Sequence, residues 1–294
     1  MKLRYRIEAA AVRAGLALIG MLSPAAASNL GGAVARTLGP LLPVSKVADE
    51  NIRHAYPELD AAARRRLVRG VWENLGRTVA ELPHLGKLEF NESGPGWEAE
   101  GGEHALALVE RGGPAVLISA HIGNWELLPV AFRKLGVNMA VFFRRAANPL
   151  VDRVITDLRT RAVGQEVPMF NKGAAGAIQA LAHLARGGYL GILQDQKMNE
   201  GVAVPLFGRP AMTAIAAATY ALRFKCPVVV GHVRRLGPAR LRIVIGPPLE
   251  LPDTGNRRAD IIAFTATINA ELEARIRSWP EGWLWLHRRW PKDG

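Results

Sequence analysis

The chain has 294 residues, of which 49% are hydrophobic and 22% charged, with 30 Gly, 19 Pro and a single Cys. An apolar fraction of that size, spread along the whole length, excludes a disordered chain and suffices for one large domain or two small ones. One cysteine excludes a disulfide scaffold and a Cys-rich structural zinc site. The 38 Lys and Arg against 26 Asp and Glu give a formal charge of +12. That charge attracts nucleic acid, an acidic membrane face or phosphorylated substrates, or it merely keeps a basic surface solvated.

Residues 14–35 carry no charge. Their length allows a membrane-spanning helix, but Pro24, Ser28, Asn29, Gly31 and Gly32 interrupt the run. The same stretch also reads as a signal peptide, as a hydrophobic helix lying in the membrane interface, or as a core-packing helix pair. Membrane association without cleavage is the expectation adopted, which divides the chain into a membrane-associating segment 1–44 and a main domain 45–294. After residue 36 charges recur too often for a polytopic membrane protein.

Apolar residues at 67, 71, 75 and 79 predict a helix over 60–82. A loop rich in Gly, Asn, Ser and Pro follows to about residue 102. Helices are then predicted over 102–111, 124–135, 148–163, 174–186, 211–224 and 258–277. Asn148 and Pro149 supply an N-cap and a first helical position. Strands are predicted over 115–120, 139–143, 189–193, 227–233 and 241–245, with 202–207 extended. This alternation predicts an α/β fold, a central mixed sheet flanked by helices, preceded by an N-terminal hydrophobic helical segment. Cys226 reads as a small core residue.

The segment with chemical content is Ser119-Ala120-His121-Ile122-Gly123-Asn124-Trp125-Glu126. It follows a buried strand and opens a helix, and in open α/β sheets ligands collect at the carboxyl ends of strands. His121 stands at that place. Glu126, five residues on, is within reach of the imidazole, and a carboxylate on one ring nitrogen fixes the tautomer and stabilises the imidazolium. The alternative is a satisfied structural histidine. Neither the HExxH zinc pattern nor the GxSxG elbow is present, so a general base without a protein nucleophile implies direct attack by a substrate hydroxyl.

These residues resemble the bacterial lipid A biosynthesis lauroyl/myristoyl acyltransferases, whose central motif is His-x4-Asp/Glu within an HxGNWE stretch. Residues 121–126 read His-Ile-Gly-Asn-Trp-Glu. Further blocks match in order: Phe143-Arg144-Arg145 with Asn148-Pro149, Gln194-Asp195-Gln196, Val204-Pro205-Leu206-Phe207-Gly208, and a tail with Pro280, Trp283, Trp285, His287, Arg288, Arg289 and Trp290. The resemblance covers roughly residues 45–291. It implies a fold like that of the glycerol-3-phosphate acyltransferases. It also implies transfer of a fatty acyl group from an acyl-carrier-protein thioester to a hydroxyl of a lipid A precursor, at the cytoplasmic face of the inner membrane, with no metal or organic cofactor.

On that reading His121 is the general base and Glu126 orients it. Backbone N–H groups of Gly123 and Asn124 face the oxyanion, and Arg144, Arg145, Arg159, Asp195 and Gln196 hold substrate. Arg161 is the rival of Arg159 in register, and each arginine also reads as part of a solvated face. Asp195 also reads as a turn residue at a strand end. Residues 205–207 and the helix 211–222 are expected to line an acyl tunnel or to be plain core. The tryptophan- and arginine-rich tail suits either the membrane boundary or packing onto the domain. Alternatives are an acyl-CoA donor, another glycolipid or polar lipid acceptor, or a basic membrane- or nucleic-acid-binding protein. No nucleic acid partner is expected, since no helix-turn-helix, zinc finger or RNA-binding aromatic pattern occurs.

Overall fold

Pro24 decides the N-terminal architecture. In the computed structural model, which describes residues 3–143 and 146–291, helix α1 (Leu3–Gly20) stops short of it and α2 (Pro24–Leu38) begins on it. Ser23 Oγ accepts the Ala26 amide at 3.3 Å. Proline is tolerated in a first helical turn and breaks a helix interior. Residues 14–35 are therefore parts of two helices, and among the described residues no helix is long and apolar enough to cross a membrane.

Helix α3 (Ser45–Ala55) leads to α4 (Ala61–Glu81), which is capped by Asp60 accepting the Ala63 amide at 2.6 Å. Helices α2 and α4 touch backbone to backbone. A Cβ on Gly31 would lie 2.5 Å from the Gly76 carbonyl oxygen, and one on Gly76 2.2 Å from the Gly31 oxygen. Only glycine permits that approach.

The chain then alternates: β1 (Gly96–Glu100), α5 (Gly102–Arg111), β2 (Ala115–Ser119), α6 (Leu127–Lys134), β3 (Met139–Phe143), α7 (Pro149–Val163), β4 (Met169–Asn171), α8 (Ala174–Ala185) and β5 (Tyr189–Leu193). A hairpin of β6 (Val202–Leu206) and β7 (Arg209–Thr213) is followed by α9 (Ala216–Phe224), β8 (Val228–Gly237), β9 (Arg240–Ile245) and α10 (Arg257–Ser278). Seven strands form one sheet in the order β1-β9-β8-β2-β5-β3-β4, parallel except for the β8–β9 pair. The α/β expectation, a mixed sheet flanked by helices, agrees with this.

Three local expectations differ. Strands β1 and β4 lie in segments read as loop or left unread, since one is a half-buried edge strand and the other has three residues. Residues 211–213 are strand and not helix, because Phe207 and Gly208 both take positive φ (51° and 70°) and close a two-residue turn that pairs Leu206 with Arg209. Helix α6 starts at Leu127 and leaves residues 124–126 in the preceding turn.

Strand β2 is buried at all five positions, as expected of a parallel strand covered on both faces. Val116 and Ile118 join the larger core with α8, α9 and α10, whereas Ala115 and Leu117 join the second core with α5 and α6. Cys226 is buried, and desolvation pushes its thiol up to about 11. His121 stands two residues beyond the carboxyl end of this central strand.

Candidate active site

Between Ala120 and the start of α6 the chain makes a tight turn that requires glycine at position 123. Gly123 has φ +63°, and a Cβ there would sit 1.8 Å from the Val233 carbonyl oxygen. The turn is held from two sides. The C-terminal tail pairs with it: Gly123 N–H donates to Gly282 O at 2.9 Å and Leu284 N–H to His121 O at 3.0 Å. From α4, Thr78 Oγ1 and Asn74 Nδ2 donate to the Gly123 carbonyl at 3.0 and 3.3 Å.

His121 faces Asp195, which follows β5 two residues after its end. Its Nδ1 lies 2.8 Å from Asp195 Oδ1, and its backbone N–H donates to Oδ2 at 3.0 Å. Trp283 Nε1–H donates to the same Oδ2 at 2.7 Å. Burial alone raises the Asp195 pKa, but the facing His121, the bonds from its ring and backbone N–H, and the Trp283 N–H outweigh it. The carboxyl is held well below the ordinary carboxylate range. An ionised carboxylate only accepts, so His121 Nδ1–H donates to it.

Glu126 does something else. Arg159, on α7, grips it as a fork: Nε to Oε2 at 2.7 Å and Nη2 to Oε1 at 2.5 Å. Trp125 Nε1–H adds a bond to Oε1 at 3.2 Å, and the Trp125 ring stands edge-on to the His121 ring, 5.0 Å between centroids. Burial lowers the Arg159 pKa, yet its bond and charge pairing with Glu126 raise it on balance. The motif thus holds two acid–base pairs, His121–Asp195 and Arg159–Glu126, with Trp125 between them. The carboxylate at the imidazole is Asp195, not the Glu126 expected from spacing, because Glu126 precedes α6 and turns to α7.

His121 and the Arg159–Glu126 pair border one cavity of about 240 Å³. His121, Glu126, Arg159 and Gln196 stand on its wall, and its body is apolar, including Leu117, Met139, Val141 and Leu158. Gln196 accepts from Lys172 Nζ at 3.1 Å. The cavity lies on the second-core face of the sheet. The tunnel expected along residues 205–207 and 211–222 is not there: Leu206, Phe207, Ala211 and Ala217 pack in the larger core. Arg161 is exposed and does not border the cavity.

The other expected site residues fall as follows. The Gly123 N–H, expected to face an oxyanion, is taken by Gly282 O. Asn124 is fully buried, with its amide donating to Glu81 Oε2 at 2.8 Å. Arg144 and Arg145 lie outside the described residues. The tail packs onto the domain: Trp283, Trp285, Trp290 and Arg289 are buried. Burial pulls the Arg289 guanidinium down to about 10 against the raising effect of Asp195. Among the described residues no three His, Cys, Asp or Glu side chains are grouped to hold a metal.

Sequence reasoning passed over a buried support beneath the turn. Glu81 has no exposed surface and bonds Ser28 Oγ–H (2.7 Å), the Asn124 amide and the Arg235 guanidinium. Arg235 also donates to Asn74 Oδ1 and Thr78 Oγ1. The signal was present: Asn74, Thr78 and Glu81 recur at i, i+4, i+7 and so share one face of α4.

The α/β sheet thus carries a carboxylate-held imidazole at its carboxyl edge, beside a largely apolar cavity. The family described as bacterial lipid A biosynthesis acyltransferase matches residues 1–292. The chain belongs to that family and is an acyltransferase. No curated protein matches it.

Proposed function

We propose that the protein transfers a fatty acyl chain from an acyl-carrier-protein thioester to a hydroxyl of a lipid A precursor, with His121 as general base. The observation that carries this is the His121–Asp195 pair at the mouth of an apolar cavity. His121 Nε2 takes the proton of the acceptor hydroxyl as its oxygen attacks the thioester carbonyl. The imidazolium that forms is stabilised by the buried Asp195 charge. Such a base contributes about 10²–10⁴-fold. Arg159, aimed by its fork to Glu126, donates to the oxyanion of the tetrahedral intermediate as a pre-positioned cation. Collapse breaks the carbon–sulfur bond, the thiolate leaves, and the imidazolium proton returns to it. Gln196 and Lys172 at the rim, with Arg144 and Arg145 as further candidates, meet the polar head of the acceptor.

The site works at a membrane face, the cytoplasmic face of the inner membrane. Exposed apolar residues of the N-terminal segment support that reading, including Leu18 (65% exposed), Met21 (82%) and Leu41 (79%). A helix pair that lays such residues into the interface anchors without crossing. In this reading residues 1–44 are the anchor and 45–294 the acyltransferase domain.

The test is incubation of the purified protein with defined acyl-carrier-protein thioesters and lipid A precursors, with product mass as readout. A mass gain of one acyl group that is lost in His121→Ala supports the assignment. Turnover only with acyl-CoA, or only on another polar lipid, reassigns donor or acceptor. Unchanged turnover in His121→Ala removes the base.

A further inference from the structure

We infer that Met139, seated across Gly191, is the stop that sets how long an acyl chain the cavity accepts. This rests on the acyl-transfer reading above. The cavity follows one face of the parallel strands, with Leu117 of β2, Gly191 of β5, and Val141 and Met139 of β3 on its wall. Its catalytic end is at the level where Ser119 pairs with Leu193, and its far end is where Met139 pairs with Tyr189. Those levels are four residues apart on β5, about 13 Å of strand at roughly 3.3 Å per residue. An extended hydrocarbon advances about 1.3 Å per carbon, the projection of a bond near 1.5 Å, so the depth is on the order of ten carbons.

Met139 closes that far end, being only 4% exposed. Gly191 explains its position. A Cβ on Gly191 would lie 2.9 Å from Met139 Sδ and 3.1 Å from its Cε. The thioether therefore lies over the bare backbone of the neighbouring strand, which a glycine inside a strand permits. Methionine is unbranched and flexible, so its tip moves readily when pushed. Shortening residue 139 deepens the cavity, whereas a methyl on residue 191 drives the thioether into it. Gly191 does not take a positive φ, so alanine there tests space and not backbone strain.

The experiment offers the full-length protein a mixture of saturated acyl-carrier-protein thioesters in two-carbon steps, with one lipid A precursor as acceptor, and reads relative kcat/KM from product masses. Met139→Ala is expected to move the optimum up by one step. The longer chain gains about fifteenfold over the parental optimum, since each buried methylene is worth roughly fourfold. Gly191→Ala is expected to move the optimum down by one step. The double variant, in which the new methyl no longer meets a thioether but still lies 3.3 Å from Val141 Cγ1, is expected to have a longer optimum than Gly191→Ala. Met139→Ala alone carries the test if Gly191→Ala does not fold. Active variants with the parental chain-length profile overturn the ruler and leave the acyl-transfer reading standing. A parental protein that transfers from no thioester in the mixture overturns that reading instead.

Discussion

At the scale of single residues, the two carboxylates of the motif region separate by what they touch. Asp195 holds the imidazole, and Glu126 holds a guanidinium. Asp195→Asn is expected to lower kcat by about 10²–10⁴-fold. It also moves the rise of kcat/KM with pH to lower pH, because the lost negative charge no longer favours the imidazolium. Glu126→Gln is expected to lower kcat about tenfold or more by loosening Arg159, with that rise staying where it is. pH–rate profiles of both variants decide the matter, and a shift in Glu126→Gln but not in Asp195→Asn reverses the two roles. A second histidine bears on stability. His232 is 5% exposed on β8, and burial, then the charges of Arg275 and Arg234, pull it down to about 4 from an ordinary 6.5. The unfolded chain binds the proton first, so stability falls as pH drops from about 6.5 to about 4 and levels off below. The cost is about 3 kcal/mol by pH 4. Urea unfolding of His232→Phe beside the parent is expected to show that difference growing over this window; a constant difference removes His232 from the acid response.

At the scale of elements, α4 braces the motif turn together with the C-terminal tail's hydrogen bonds. Its buried Glu81 ties the Asn124 amide, the Arg235 guanidinium of β8 and Ser28 of α2 into one group. Breaking a buried ion pair by removing one partner leaves the other charge uncompensated, which costs about 3–5 kcal/mol. Glu81→Gln is expected to lose stability on that scale in chemical denaturation, whereas a loss below about 1 kcal/mol, the range of an exposed pair, would mean that the group is not coupled. Helix α4 was legible from its apolar spacing at 67, 71, 75 and 79, and so were the strands and helices that are long and strongly patterned. The strand-end position of His121 was legible for the same reason. What was not legible depends on contacts distant in sequence. Glu126 stands close to His121 in the chain, but its partner Arg159 is 33 residues on, and the acid at the imidazole is 74 residues on. The tail's packing followed the same rule, since the partner of Trp283 is 88 residues away. The cavity face was misjudged because apolar strands buried on both sides give no sign of which side stays open.

At the scale of the whole molecule, the N-terminal helices link a surface to the cavity. Helix α1 lies along α7, the helix that carries Arg159: Asn148 caps α7 through its Oδ1, and its Nδ2 donates to Tyr5 O at 3.0 Å and Glu8 Oε2 at 2.9 Å. At the other end of α1, His84 Nε2 lies 3.2 Å from Ile19 O. The exposed apolar residues at the α1–α2 turn, Leu18 and Met21, therefore sit on an element packed against a wall of the cavity. On the proposed membrane contact, the net charge of +12 and burial of these side chains would act in the same direction. Full burial of such a side chain is worth about 1.5–3 kcal/mol. The Leu18→Glu/Met21→Glu variant is expected to bind anionic phosphatidylglycerol vesicles at least about tenfold more weakly in co-sedimentation, with parental turnover on an acceptor dispersed in detergent. Raising salt is expected to weaken the parent's binding without abolishing it, because the apolar part is not screened. Vesicle binding equal to that of the parent would move the lipid contact away from this turn and leave the residues at the cavity as assigned.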